Sequence, residues 1–173
     1  NPIHYGHLIN AEIIRSDFNL DGIILVPARQ PVHKSLEGNV PADERYAMAA
    51  LAVGGTKEIE VSRIEIDREE PSYTITTVHE LLALHPGSEL FLIIGMDSLA
   101  ELDRWRESGH LLEHVSVIVM RRPGSDVSPG AAATAGRIHY AENPLIDISS
   151  TYIRERLRAG KSVRYLLPDA VID

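Results

Sequence analysis

The chain of 173 residues contains no cysteine, so it has no disulfide framework, no thiolate metal site and no cysteine nucleophile. This absence fits a reducing compartment, and we expect a cytoplasmic protein. Long apolar runs are also missing, because residues 90–96 and 115–120 fall far short of the ~20 residues that span a bilayer. The sequence therefore predicts no membrane-spanning helix.

Aromatic residues make up only 5% of the chain, too few for an obvious surface on which bases could stack. Positive charge is also scarce, since 17 Lys and Arg stand against 25 Asp and Glu and leave a formal charge of -8. Such a field repels nucleic acid and anionic membrane surfaces. We expect neither as a partner, and any phosphate-binding site must be built locally.

Apolar runs alternate with helical patterns along the chain, and this alternation is typical of βαβ units. The runs at 22–26, 59–61, 90–94 and 115–120 are predicted strands, and 138–141 is a shorter one. The predicted helices lie at about 8–18, 43–53, 74–84, 98–105, 108–114 and 151–159. The sequence thus predicts an α/β fold: a single domain over residues 1–173 with a Rossmann-like, doubly wound parallel sheet and helices on both faces.

Three segments depart from this alternation. Residues 27–42 form a long proline-containing loop at the carboxyl end of a strand, where open α/β sheets bind ligands, and this loop carries Lys34. Residues 123–136 are rich in small residues and are interpreted as an excursion without chemistry. Asn1 to His4 open a helix with no strand before them, so we expect the first strand of the sheet to be missing from the given chain.

The sequence His4-Tyr5-Gly6-His7 leads directly into an apolar helix. Free backbone N–H groups and the positive end of the helix dipole should then lie beside two imidazoles, which favours phosphate binding. The spacing of three places both rings on one face, and Gly6 lacks the Cβ that would obstruct a ligand. The alternative is a capped helix with two surface histidines.

A second phosphate-binding pattern lies at the start of the last long predicted helix, where Ser149, Ser150 and Thr151 precede Arg154. Hydroxyls, amides and a guanidinium that can bridge two phosphate oxygens converge there. The alternative is a helix cap followed by a solvated arginine.

Three mid-chain positions are further candidates. Thr74 opens a helix after Pro-Ser-Tyr, although simple capping explains it equally well. Gly95 and Asp97 follow a buried strand directly, so the carboxylate can accept hydrogen bonds from ribose hydroxyls or act as a helix cap. Trp105 is the only tryptophan and lies among charged residues, which leaves one face open for stacking on a flat ring unless the core buries it.

Together these segments resemble the nucleotidyltransferase α/β superfamily and, within it, the bacterial nicotinate-mononucleotide adenylyltransferases. NPIHYGHL is similar to that family's histidine signature, PARQPVHK to its phosphate loop, PSYT and IIGMDSL to its mid-chain motifs, and DISSTYIRERL with VRYLLPDAV to its carboxyl-terminal signature. The resemblance extends over nearly the whole chain. It implies transfer of the adenylyl group of ATP to nicotinate mononucleotide, giving deamido-NAD and pyrophosphate in NAD biosynthesis.

The resemblance also implies roles for individual residues. The implied catalytic residues are His4, His7 and Arg154. The residues implied to bind ATP are His4, Gly6, His7, Gly95, Asp97, Ser150, Thr151 and Arg154. Those implied to bind the mononucleotide are Lys34, Thr74, Trp105 and Arg106. Mg²⁺ is expected to arrive with ATP, held mainly by substrate oxygens and water, because the sequence contains no obvious carboxylate cage.

Two departures from the family pattern keep alternatives open. The glycine-rich turn that precedes the histidine signature in the family is absent here, and Arg106 stands where many members carry a second aromatic residue. One alternative is another adenylyltransferase of the superfamily, such as phosphopantetheine adenylyltransferase, although Trp105 and PSYT argue against it. The other is a catalytically silent nucleotide-binding module. Whether the chain forms a homo-oligomer is left open.

Overall fold

The computed structural model describes residues 1–32, 40–121 and 137–172. They form two compact units, Asn1–Pro71 with Ile146–Asp173 and Ser72–Leu145, which are described separately. Lys34 and the whole small-residue segment at 123–136 lie outside the described residues. The expectation of a single domain stays a prediction.

Helices and strands alternate along the described chain. In order they are α1 (Tyr5–Asp17), β1 (Ile23–Leu25), α2 (Ala42–Val53), β2 (Ile59–Val61), α3 (Thr74–Leu84), β3 (Leu90–Gly95), α4 (Met96–Glu101), a 3₁₀ turn (Leu102–Arg104), α5 (Ser108–His114), β4 (Val115–Met120), β5 (Ile138–Tyr140), α6 (Ser150–Arg158) and α7 (Asp169–Ile172). Among the described residues, no helix has the length and apolar character needed to cross a membrane.

The first unit contains a two-stranded parallel sheet in which Ile23 of β1 lies opposite Ile59 of β2. Both isoleucines are buried, and so is Ile14 of α1. A separate apolar cluster of Ile153, Val163 and Leu167 anchors α6 to the segment that follows it. This cluster fixes the carboxyl-terminal part of the unit, which carries the second phosphate-binding pattern.

The second unit contains a three-stranded parallel sheet in the order β3-β4-β5. β4 is its central strand, and Val117, Ile118 and Val119 are fully buried because the strand is covered on both faces. The core of this unit combines β4 with residues of the helices, including Ile75, Val78, Leu99, Leu102 and Leu111. The strand β3 leads into α4 without an intervening loop.

The α/β class with parallel strand pairing is confirmed. Two local predictions were wrong in detail. α1 begins at Tyr5 rather than residue 8, because its polar first turn is held by a cap that apolar periodicity does not reveal. The helix predicted at 98–105 begins at Met96, ends at Glu101 and continues as a 3₁₀ turn, which leaves Trp105 outside it. The short helix α7 was not predicted.

Candidate active site

The two histidines of the first pattern lie against each other at the start of α1. His4 is the residue before the helix and is buried, whereas His7 in the first turn is exposed. Their ring centroids are 3.8 Å apart with an angle of 38° between the planes. The spacing of three therefore brings both rings to one face, as the sequence predicts.

A hydrogen bond fixes the orientation of the His7 ring. The backbone N–H of His4 donates to Nδ1 of His7 over 3.3 Å, so this ring nitrogen acts as an acceptor. A neutral imidazole with an accepting Nδ1 carries its proton on Nε2. The exposed side of His7 therefore presents an N–H donor, which is the group needed to hold a phosphate oxygen.

The expectation of free backbone N–H groups at this helix start is wrong for two residues. The Tyr5 N–H donates to the carbonyl of Leu166 over 3.0 Å, and the His7 N–H donates to the carbonyl of His4 over 2.9 Å. The contact with Leu166 attaches the start of α1 to the carboxyl-terminal segment of the same unit. Imidazole and other side-chain donors, rather than these two amides, are left to bind phosphate.

Gly6 has a steric role that the sequence analysis did not predict. A Cβ built on Gly6 would lie 3.0 Å from both Cε1 and Nδ1 of His4 and 3.6 Å from the carbonyl oxygen of Ile148. The missing side chain therefore makes room for the His4 ring. Because His4 is buried and stacked on His7, its ring has little freedom to move away.

We expect Gly6→Ala to lower kcat/KM for the adenylyl transfer that the resemblance implies by ~10-fold or more. The added Cβ would displace the His4 ring, and His7, which lies against that ring, would move as well. Gly109→Ala is the matched control, since both glycines are the second residue of a helix and a Cβ on Gly109 meets nothing within 4 Å. Steady-state kinetics and thermal unfolding of both variants test this. Equal kcat/KM values for Gly6→Ala and Gly109→Ala would contradict this steric role of Gly6.

Two side chains of α6 form hydrogen bonds with the chain just before His4. The Ser150 hydroxyl donates to the Pro2 carbonyl over 2.9 Å, and Nη1 of Arg154 donates to the Asn1 carbonyl over 2.7 Å. Nη2 of Arg154 donates to Oγ1 of Thr151 over 3.1 Å. The two phosphate-binding patterns, almost 150 residues apart in sequence, are thus joined directly within the first unit.

The helix cap of α6 explains how these side chains are presented. Ser149 is the cap residue, and its hydroxyl accepts the N–H of Tyr152 over 3.1 Å. Ile153 is fully buried and fixes the opposite face of the helix. Thr151 is exposed, whereas Ser150 and Arg154 are half-buried against the amino-terminal segment. Capping and the candidate function therefore use different serines.

Two arginines that the sequence analysis did not select anchor the base of the long loop. Nη1 of Arg29 donates to the carbonyls of Ile66 and Arg68 over 3.2 and 3.0 Å. Arg45 of α2 in turn donates to the Arg29 carbonyl over 3.2 Å, and burial lowers the pKa of its guanidinium. The available sequence signal was spacing. Arg45 lies four residues before Ala49, so the two residues share one face of the predicted helix, and the structure buries both.

In the second unit, Gly95 and Asp97 lie where β3 passes into α4. Gly95 is the last residue of β3 and the cap of α4, with extended backbone angles of φ -83° and ψ 165°. Asp97 follows in the first turn and is exposed. The carboxylate therefore lies at the carboxyl end of a parallel strand, the position at which such sheets bind nucleotides.

The second unit also brings the PSYT segment to Arg106. The Arg106 guanidinium lies 4.6 Å from the ring centroid of Tyr73, which is the cap residue of α3 immediately before Thr74. Trp105 packs half-buried against the core of this unit. Glu107 then adopts φ 53° and turns the chain into α5. The Tyr73 ring, the Arg106 guanidinium and the start of α3 thus lie together in the second unit.

Comparison with known proteins relates this arrangement to a family. The sequence profile of the cytidylyltransferase-like family matches residues 1–156. Two curated relatives, each named "Probable nicotinate-nucleotide adenylyltransferase", come from Streptomyces coelicolor and Roseiflexus sp. and are 40% and 42% identical to the chain. These alignments cover 99% of this chain and 91% and 88% of the respective relatives.

Solved structures agree with the relatives in fold. The nicotinic acid mononucleotide adenylyltransferase of Plasmodium falciparum, complexed with NaAD, matches with a TM-score of 0.79 over 99% of this chain and 88% of its own. At 19% sequence identity this likeness shows the shared fold alone. The family profile and the curated relatives carry the assignment further: the chain belongs to the cytidylyltransferase-like family, within its nicotinate-nucleotide adenylyltransferase branch.

Proposed function

We propose that the protein transfers the adenylyl group of ATP to nicotinate mononucleotide, forming deamido-NAD and pyrophosphate in NAD biosynthesis. The observation that carries this proposal is the direct bonding of the Ser150 and Arg154 side chains to the segment that leads into the stacked pair His4 and His7. Cationic and N–H donors of two distant motifs converge there, in a chain whose relatives bear the name of this activity.

The reaction needs alignment and charge stabilisation more than proton transfer. A phosphate oxygen of the mononucleotide attacks the α-phosphorus of ATP, the bond from that phosphorus to the bridging oxygen breaks, and pyrophosphate leaves with the electron pair. The acceptor phosphate is already anionic, so no protein base has to activate it. Catalysis then depends on holding the groups in line and on donors aimed at the developing negative charge.

The side chain of His7 is suited to stabilising this developing negative charge. The His7 side chain is exposed, and the His4 backbone holds its ring in the tautomer with the proton on Nε2, so the ring is oriented before substrate binds. The buried His4 ring supports it by stacking. We assign His7 to the phosphate at which bond breaking occurs and His4 to the positioning of His7.

The start of α6 holds the leaving phosphates in this proposal. The exposed Thr151 hydroxyl and the Arg154 guanidinium bind phosphate oxygens, since arginine can contact two of them at once. Ser150 already donates its proton to Pro2, so it fixes the amino-terminal segment and is left with acceptor capacity. Gly6 contributes by leaving room for His4.

Residues of the second unit are assigned to the adenosine and the pyridine ring. Asp97 accepts from ribose hydroxyls beside Gly95, and Trp105 stacks on the pyridine ring near Thr74. Arg106 offers the positive charge that pairs with the nicotinate carboxylate, in the place where an aromatic residue is common in the family. Lys34 is assigned to the mononucleotide phosphate and lies outside the described residues.

Mg²⁺ enters this proposal as part of the ATP complex. Among the described residues, the one group of three or more side chains with metal-ligating geometry is made of histidines and lies apart from the phosphate-binding motifs in sequence. Oxygen-rich ligand sets suit Mg²⁺, and the triphosphate supplies them. The bound ion would neutralise phosphate charge during transfer.

A panel of acceptors tests the proposal. Purified protein is supplied with Mg-ATP and, separately, with nicotinate mononucleotide, nicotinamide mononucleotide or phosphopantetheine, and pyrophosphate release is measured. We expect the fastest release with nicotinate mononucleotide. Faster release with phosphopantetheine would identify the other adenylyltransferase, and ATP binding without any release would identify a silent nucleotide-binding module. Cytoplasmic localisation stays a prediction.

Acceptor selectivity gives a sharper prediction. A site that pairs a carboxylate leaves its donors unsatisfied when a neutral amide is bound, so we expect kcat/KM to favour the acid form by ~10² or more. Arg106→Gln should reduce this preference by ~10-fold or more, because it removes the charge but keeps a polar side chain with N–H donors. The ratio of kcat/KM for the two acceptors is the measurement.

Trp105→Ala separates stacking from charge recognition. It should raise KM for both acceptors alike and leave the affinity for ATP unchanged, because a stacked ring does not distinguish acid from amide. Tyr140→Ala is the control, since Tyr140 is an exposed aromatic residue on β5 of the same unit. An unchanged acceptor KM in the Trp105 variant would refute the stacking, and equal use of both acceptors by the unmodified protein would refute carboxylate pairing.

A further inference from the structure

Three histidines meet at the surface of the second unit, outside every motif used above. His79 lies on α3, and His110 and His114 lie four residues apart on α5. The ring centroids are 4.7 Å apart for His110 and His114, and 5.1 and 5.3 Å for His79 with each of them. One ring nitrogen of each histidine lies within 4.8 Å of those of the other two.

The spacing of the two α5 histidines is already close to that of metal ligands. Their Nε2 atoms are 3.1 Å apart. Two imidazole nitrogens bound to a tetrahedral Zn²⁺ at 2.0 to 2.1 Å would be ~3.3 Å apart, so almost no movement is needed. His79 is exposed on the neighbouring helix with a ring nitrogen within 4.8 Å of the other two, and its side chain can change rotamer toward them.

Two carboxylates lie close to the cluster, and one of them, Glu107, also pairs through Oε1 with Nε of Arg106 at 3.3 Å. Oε2 of Glu107 lies 3.9 Å from Nδ1 of His110, and Oε2 of Glu113 lies 3.9 Å from its Nε2. When Nε2 of His110 binds a metal, Nδ1 carries the proton and faces the Glu107 carboxylate. A carboxylate behind a ligating imidazole is a common support of metal sites, because it orients the ring and raises its basicity.

We propose that His79, His110 and His114 bind one divalent transition-metal ion, with Zn²⁺ as the best match. Imidazole nitrogens suit Zn²⁺ and its neighbours in the transition series, whereas Mg²⁺ prefers oxygen, so this site is separate from the ion that accompanies ATP. His110 keeps 47% of its side chain exposed, and an ion can reach it from solvent. Three protein ligands leave a coordination position for water.

Metal binding would link α3 to α5, the two helices that pack on each other beside the core of this unit. The contact between the two Nε2 atoms of His110 and His114 is then replaced by two bonds to the ion, and each ring carries its proton on Nδ1. Because the ion binds the folded arrangement and not an unfolded chain, it raises the unfolding temperature of the protein.

Titration with Co²⁺ and Zn²⁺ tests the site. The full chain, freed of any affinity tag and stripped with EDTA, is titrated with Co²⁺ while its visible d–d absorption is recorded, and Zn²⁺ is then added as a competitor. We expect one Co²⁺ per chain, displaced by Zn²⁺, and an increase in unfolding temperature with Zn²⁺. His114→Ala and His79→Ala should each weaken binding by at least the ~10- to 100-fold expected for loss of a supporting residue.

His85→Ala is the matched control, because His85 is exposed directly after the last residue of α3 and is outside the cluster. It should bind Co²⁺ like the unmodified chain. Circular dichroism of each variant establishes that the fold is retained. The proposal is overturned if the unmodified chain binds no better than His114→Ala, or if His85→Ala loses as much affinity as the cluster variants.

Discussion

Replacing His7 with alanine is expected to lower kcat for adenylyl transfer by ~10² to 10³. The reason is that, in the proposed mechanism, the Nε2–H of the exposed His7 side chain is the oriented donor that meets the phosphate charge as the bond breaks. The variant should retain the fold, because His7 is exposed and contributes little to the core. Steady-state kinetics with Mg-ATP and nicotinate mononucleotide, together with circular dichroism, provide the measurement.

His7→Gln separates this chemical role from the role of His7 in capping α1. Glutamine at the third helical position can accept the N–H of the preceding cap residue, as His7 does for His4. We expect stability close to that of the unmodified chain and a kcat as low as that of His7→Ala. His85→Ala serves as a control for loss of an exposed imidazole. Near-normal turnover in His7→Gln would show that His7 acts only as a cap.

Arg154→Ala is expected to lower kcat/KM for ATP by ~10² or more. Arg154 has two tasks in this account: it binds the leaving phosphates, and it holds the amino-terminal segment through the Asn1 carbonyl at 2.7 Å. Arg154→Lys keeps the charge but cannot make both contacts with one planar group. We expect kcat/KM for ATP in Arg154→Lys to stay below about a tenth of the value for the unmodified chain.

Arg158→Ala is the matched control for Arg154, because it removes an arginine one turn further along α6 where the side chain is exposed. Its kinetics should equal those of the unmodified chain. If Arg158→Ala and Arg154→Ala reduce kcat/KM equally, the effect comes from net charge or helix stability, and the assignment of Arg154 to phosphate binding is wrong.

The fold class could be predicted from the sequence because the spacing of apolar residues and the composition of each segment indicate whether it forms a strand or a helix. Buried parallel strands such as β4 are continuous apolar runs, and the helices between them show caps and stops. The start of α1 was not accessible, since a histidine cap held by a reciprocal bond to His7 has no apolar signature. The break after Glu101 was missed for a similar reason: an α-helix and a 3₁₀ turn have nearly the same apolar spacing.

The sequence proposes the residues of the candidate site, whose roles stay predictions, and it says little about their contacts. Motif spacing identifies His4 and His7, but it does not reveal that the Tyr5 N–H is occupied by Leu166 or that Gly6 makes room for a ring. Gly6 and His4 are close in sequence, but their spacing does not determine the orientation of the His4 ring. The bond from Tyr5 to Leu166 joins residues far apart in sequence, and local patterns carry no information about such pairings. The bond from Arg154 to the Asn1 carbonyl belongs to the same class.

The central claim is that the adenylyl group, and not a phosphoryl group, moves to the mononucleotide. ATP labelled with ³²P at the α or the γ position distinguishes the two when the products are separated after incubation with nicotinate mononucleotide and Mg²⁺. The account predicts that the α label enters deamido-NAD and the γ label appears in pyrophosphate. Transfer of the γ label to the mononucleotide, or release of α-labelled AMP without a dinucleotide, would contradict it.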